Sequence, residues 1–181
     1  MDPARYNQLK ELFVKHFFKL GIAALSIASS AHAHVVFNET EAAAGAFHTA
    51  QLRVMHGCDG EPTNRVTVII PEGVTRVTPR AISGWTVEVS MVTLDKPILL
   101  HGFEVTDVVG SVTWSGGTFP DYAYEQFEIR MMLPDTPGER LDFPVHQGCE
   151  TGELNWDDIA GDGKDPWALK EPAPFILLGT N

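Results

Sequence analysis

Beyond residue 33 the apolar positions of this chain recur with a period of two, in short runs. No stretch sustains the 3.6-residue spacing of an amphipathic helix. The runs are rich in β-branched and aromatic residues and are separated by Gly, Pro and Asp, the pattern of strands and turns. Strands are predicted over 34–37, 46–56, 65–70, 74–79, 85–91, 124–133 and 141–146. Residues 103–114 read as two strands, or as one bent at Gly110. Pro71, Glu72 and Gly73 read as a turn, as do Ser115, Gly116 and Gly117. Strands at spacings of about 8–12 residues, with 16 Gly and 12 Pro, predict an all-β antiparallel sandwich. From about residue 151 the alternation weakens, and the acidic stretch 155–165 and the stretch 166–174 read as loops.

Residues 1–33 follow a different pattern. Arg5, Lys10, Lys15 and Lys19 precede an apolar run over 20–28, and Ala31, His32 and Ala33 give the small-x-small pattern of a signal peptidase site. The apolar run is well short of the roughly 20 residues a membrane span needs. The expectation is a cleaved secretory signal peptide over 1–33 and one sandwich domain over 34–181, periplasmic or secreted, with no membrane span after processing. Cleavage after Ala33 makes His34 the first residue of the mature protein.

Charge narrows the partners. The leader takes four of the 13 basic and two of the 24 acidic residues, leaving 9 against 22 and a formal charge of −13. That balance argues against nucleic acid or an anionic membrane as partner, since both need a basic face. Gly-x-Ser-x-Gly, His-Glu-x-x-His and Gly-rich phosphate-loop signatures are absent from the sequence. Cys58 and Cys149 are the two cysteines, and an even count in an exported chain reads as one disulfide.

A terminal His34 carries two nitrogens on one residue, the α-amine and the imidazole, a chelate that favours copper(II). His48, His56, His101 and His146 are the other histidines beyond the leader. His56 stands out because it ends the second predicted strand beside Cys58. Antiparallel pairing of the first two predicted strands would bring it to His34. Asp59 is the nearest carboxylate, and Met55 offers a sulfur suited only to copper(I). Trp156 stands alone among acidic residues seven positions after Cys149. A Cys58–Cys149 bond would draw it towards His56.

Read together, His34-Val35-Val36, Gly45, Arg53-Val54, His56-Gly57-Cys58, Pro71-Glu72-Gly73-Val74, Gly84-Trp85, Thr113-Trp114-Ser115-Gly116-Gly117, Gln147-Gly148-Cys149 and Trp156 resemble the YcnI-like domain family. The resemblance implies an exported immunoglobulin- or cupredoxin-like sandwich of copper homeostasis. It implies a copper(II) brace from the N-terminal histidine, completed by a glutamate and a late tryptophan. By position His34 matches the brace and Trp156 the tryptophan. The glutamate's place falls at Gly57, so the second ligand departs from the family pattern. His56 is expected to replace it, with Asp59 as the other candidate.

The expected function is therefore non-catalytic copper(II) binding, for storage, delivery or sensing. A periplasmic copper chaperone or a membrane copper transporter is the expected exchange partner. Two other readings remain at this stage. A second histidine also suits a copper-dependent oxygenase, and an exported structural or interaction module would need no specific metal.

Overall fold

The computed structural model describes residues 34–179 apart from 101 and 162. The signal-peptide expectation and His101 lie outside the described residues.

Twelve strands follow in chain order: β1 (Val36–Phe37), β2 (Glu41–Ala43), β3 (Phe47–Val54), β4 (Thr63–Ile69), β5 (Thr75–Pro79), β6 (Thr86–Leu100), β7 (Phe103–Phe119), β8 (Glu125–Met132), β9 (Arg140–Asp142), β10 (Val145–Cys149), β11 (Glu153–Trp156) and β12 (Phe175–Gly179). Among the described residues a single 3-10 turn spans Pro166–Ala168. One sheet has the order β1-β3-β8-β5, a second β11-β10-β4-β7-β6, and a small third β2-β12-β9. Pairing is antiparallel except between β2 and β12.

Alternation along the strands builds the core. Ala50, Leu52 and Val54 of β3, Val66 and Val68 of β4, and Phe127, Ile129 and Met131 of β8 all point inward and are buried. The two larger sheets meet where Trp114 of β7 packs on Phe127 of β8, their ring centroids 5.2 Å apart. The Trp114 indole N–H donates to the Arg80 carbonyl at 2.9 Å, which satisfies the one polar atom of that buried ring. The expected all-β antiparallel sandwich is what these strands form.

The structure corrects several local expectations. Ser115, Gly116 and Gly117 do not form a turn but lie inside β7. The β4–β7 register shifts there, from Arg65 opposite Ser115 to Thr63 opposite Phe119, leaving extra residues on β7. Gly116 sits at φ +81°, and a side chain at Gly117 would collide with the Trp85 ring. These glycines therefore build a bulge, not a reversal. Gly110 does not divide β7 either; a Cβ there would lie 2.4 Å from Val92 across the hairpin, so it permits close strand approach. The 141–146 run divides into β9 and β10. The segment after Thr151 carries β11 and β12, although 155–165 had been expected to be loop.

Cys58 and Cys149 form the disulfide, with Cα atoms 6.0 Å apart and a sequence separation of 91. It joins the segment after β3 to the end of β10. Closing a loop of that length contributes on the order of 4 kcal/mol in the chain-entropy view.

Candidate functional site

The register of β1 on β3 sets the site. Val36 lies opposite Arg53 and Phe37 opposite Leu52, so β1 begins where β3 ends. Continuing that register backward brings His34 alongside Met55, next to His56. The expected antiparallel pairing of the first strand with the one that leads to His56 is present.

Both imidazoles meet the same indole. The His34 ring centroid lies 6.1 Å from that of Trp156, edge-on at 69°. The His56 ring lies 6.0 Å from it, edge-on at 68°. Trp156 is not in a loop, as its acidic surroundings suggested. It is the last residue of β11, paired with Val145 of β10, and only 3% exposed. Its indole N–H donates to Oε1 of Gln147 at 3.0 Å. The ring therefore presents its faces and edges to the histidines while its polar atom is bound elsewhere.

Gln147 was seen in the sequence only as part of a motif, yet it ties the site together. It is fully buried on β10. Its amide nitrogen donates to the His56 carbonyl at 2.6 Å and to Thr63 Oγ1 at 2.7 Å. One side chain thus holds the Trp156 ring, the His56 backbone and the start of β4. A glutamine at an inward position of an alternating strand is the signal that would have found it.

Trp167 was also missed. Its ring stacks on His34 with centroids 6.2 Å apart and 16° between planes. Asp165 caps the 3-10 turn that carries it, accepting the Trp167 backbone N–H at 2.9 Å, and the ring also packs on Phe175 of β12. Asp-Pro-Trp is a turn-initiating sequence, and that was the available clue.

The His56 ring makes a hydrogen bond through Nδ1 to the Gly57 carbonyl. A carbonyl only accepts, so Nδ1 is the donor, and in the neutral ring Nε2 is the nitrogen left with a lone pair. This is the tautomer a metal-ligating imidazole takes when its other nitrogen is held by a backbone carbonyl.

Gly57 has no room for a side chain. A Cβ built there would lie 1.7 Å from the Glu61 carbonyl oxygen, so no side chain fits. The crowding comes from a tight turn in which Cys58 and Glu61 exchange backbone hydrogen bonds at 3.1 and 2.9 Å. Asp59 sits in that turn, exposed and at φ 50°. Lys170 is held above its ordinary pKa first by the hydrogen bond and charge of Glu171, and then by the charges of Asp158 and Asp59. Glu61 accepts from the Thr151 backbone N–H at 2.8 Å and from its hydroxyl, contacts that lower its pKa.

Among the described residues no three His, Cys, Asp or Glu side chains are grouped to hold a metal. The side chains brought together are His34, His56 and Trp156, and Asp59 does not join them in such a group. Two imidazoles are an incomplete donor set for copper(II), and the α-amine that a cut before His34 would release would add a third nitrogen.

A family model described as a domain of unknown function, DUF1775, matches residues 34–178. The chain belongs to the DUF1775 family. YcnI is a member of that family, so the motif resemblance holds at family level. The match begins at His34. A search of curated proteins finds no match. The chain is similar to an uncharacterized protein from Nocardia farcinica whose crystal structure has an immunoglobulin-like fold. They share 26% identity at a TM-score of 0.60, over 81% of this chain and 99% of that one. The DUF1775 sandwich is thus immunoglobulin-like. A putative membrane anchored protein from Corynebacterium diphtheriae also matches, at 9% identity and a TM-score of 0.39, over 80% of this chain and 34% of that one. Among the described residues of this DUF1775 chain, no helix is long and apolar enough to cross a membrane.

Proposed function

We propose that this DUF1775 protein is exported, is cut before His34, and binds one copper(II) ion in the service of copper homeostasis. The α-amine and imidazole of His34 and the imidazole of His56 would hold the metal, with Trp156 closing the site. When bound, copper supplies a Lewis-acidic and redox-active centre. The chain's own residues orient the donors and limit water.

The observation that carries this reading is the convergence of His34 and His56 on one buried indole, at 6.1 and 6.0 Å. Two further features support it. Gly57 excludes a side chain where the family pattern has its glutamate, which leaves the adjacent His56 as the replacement. The His56 hydrogen bond to Gly57 favours the tautomer whose Nε2 is available to a metal. A disulfide and a strongly acidic surface suit an oxidising compartment and a cationic cargo. Exchange with a periplasmic copper chaperone or a membrane copper transporter belongs to the same proposal.

Copper(II) titration of the chain beginning at His34, beside its His56→Ala and Asp59→Ala variants, tests the ligand set. The expected result is one tight site, weakened at least about tenfold by His56→Ala and unchanged by Asp59→Ala. Equal affinity in all three would remove His56 from the site.

A further inference from the structure

The His34 ring meets two indoles, and they differ in kind. Trp156 approaches it edge-on at 69° and belongs to the core, with 3% of its surface exposed. Trp167 lies within 16° of parallel to it, at 6.2 Å between centroids, and is 47% exposed. Near-parallel planes at that distance make an offset stack, one of the arrangements aromatic rings favour. His34 itself stands two residues before β1, so the paired part of that strand begins beyond it.

Trp167 is firmly held despite its exposure. It is the middle residue of the 3-10 turn, between Pro166 and Ala168. Asp165 Oδ1 accepts its backbone N–H at 2.9 Å, and the Asp165 and Pro166 carbonyls accept from Ala168 and Leu169, each at 3.2 Å. The chain after the turn is pinned to Asp158. The Asp158 N–H donates to the Glu171 carbonyl at 3.0 Å, its carboxylate accepts the Glu171 N–H at 3.2 Å, and its carbonyl accepts the Ala173 N–H at 2.9 Å. Asp158 follows Trp156 by two residues, so the support of one indole is stapled directly beyond the other. Behind Trp167, Phe175 of β12 packs on the ring at 5.7 Å.

We propose that Trp167 is a positioning residue for the copper site, fixing the plane of the His34 imidazole for chelation. This rests on the reading above, that the chain beginning at His34 binds copper(II). A terminal residue has backbone and side-chain freedom to lose when its amine and ring close on one ion. A ring already stacked on a braced indole loses less of it, and preorganisation of that kind raises affinity without adding a ligand. Trp167 itself gives the metal no donor, since an indole nitrogen carries a proton and has no lone pair to offer. Its effect should appear mainly as slower copper release, where most affinity differences between related complexes lie.

Copper(II) titration, and stopped-flow removal of copper by EDTA, test this on the chain beginning at His34 and its Trp167→Ala and Trp167→Phe variants. Proton NMR of the metal-free forms reads the stack directly. Trp167→Ala is expected to weaken binding about three- to tenfold, the scale of one aromatic pair, mainly through faster release. Trp167→Phe should restore most of that loss, because a flat face is what holds His34. In metal-free parent protein the His34 ring protons should carry the ring-current shift of the stacked indole, and Trp167→Ala should remove it. Equal release rates in the parent and Trp167→Ala would overturn the proposal. So would a Phe variant as impaired as the Ala variant, or His34 protons indifferent to Trp167→Ala. If the parent binds no copper(II) while its His34 shift still depends on Trp167, the copper reading has failed and the positioning role falls with it, although the stack stands.

Discussion

The indole N–H of Trp156 donates to the side-chain oxygen of Gln147 at 3.0 Å, inside a core where Gln147 has no exposed surface. The same glutamine donates to the His56 carbonyl and to Thr63. One buried amide thus fixes the ring between the two histidines and the backbone of one of them.

Gln147→Leu should therefore destabilise the fold by about 2–3 kcal/mol, since it leaves the Trp156 indole N–H buried without a partner and the His56 carbonyl with only the Thr63 hydroxyl at 3.4 Å. Urea denaturation followed by tryptophan fluorescence measures this. Copper(II) affinity should fall as well, although Gln147 is not a ligand, because the positions of Trp156 and His56 loosen together. A variant as stable as the parent would show that the hydrogen bonds are dispensable.

Gly57 should tolerate no larger residue. With a Cβ only 1.7 Å from the Glu61 carbonyl, Gly57→Ala must displace the turn that carries Cys58 and Asp59. The expected loss is about 1–3 kcal/mol, in the range of overpacked sites. Gly57→Glu would add a carboxylate beside His56, yet it should weaken copper binding, because His56 moves with the turn. Thermal melting and copper titration of both variants check this. Tighter copper binding by Gly57→Glu would contradict the steric argument.

His48 gives a pH dependence separate from the metal site. It lies half-buried on β3, and its Nε2 has no hydrogen-bond partner among the described residues. Burial lowers its pKa, partly opposed by the charge of Glu39. The unfolded chain then binds the proton more readily than the native one. His48's contribution is thus complete above its unfolded value of about 6.5, and is lost as pH falls through the lower folded value. Between about pH 7.5 and pH 5, metal-free protein should lose more stability than its His48→Gln variant. Parallel pH slopes in the two would show that His48 has no part in it.

Much of the sandwich was legible because half-buried strands write their burial into alternation. β3, β4, β5 and β8 appear within a few residues of their predicted bounds for that reason. β11 and β12 were missed on different grounds. Glu153, Leu154, Asn155 and Trp156 are too few and too polar to display a period, and what holds them is pairing with β10 beyond the disulfide. β12 is a short apolar run held between β9 and β2, and β2 lies more than 130 residues away in sequence, a distance no local pattern reports. The site divides in the same way. His34, His56 and Trp156 were named from the cleavage pattern, the cysteines and family resemblance. Gln147 and Trp167 were not, because their roles depend on which strand faces which.

The central claim is that the terminal amine of His34 is a ligand. Its most direct test is copper(II) titration of two proteins, one beginning at His34 and one with a single alanine before it. Every side chain is the same in both, but the added residue turns the His34 amine into an amide. The account predicts one tight site in the first and a loss of about a hundredfold or more in the second. Equal affinities, or no tight site in either, would contradict it.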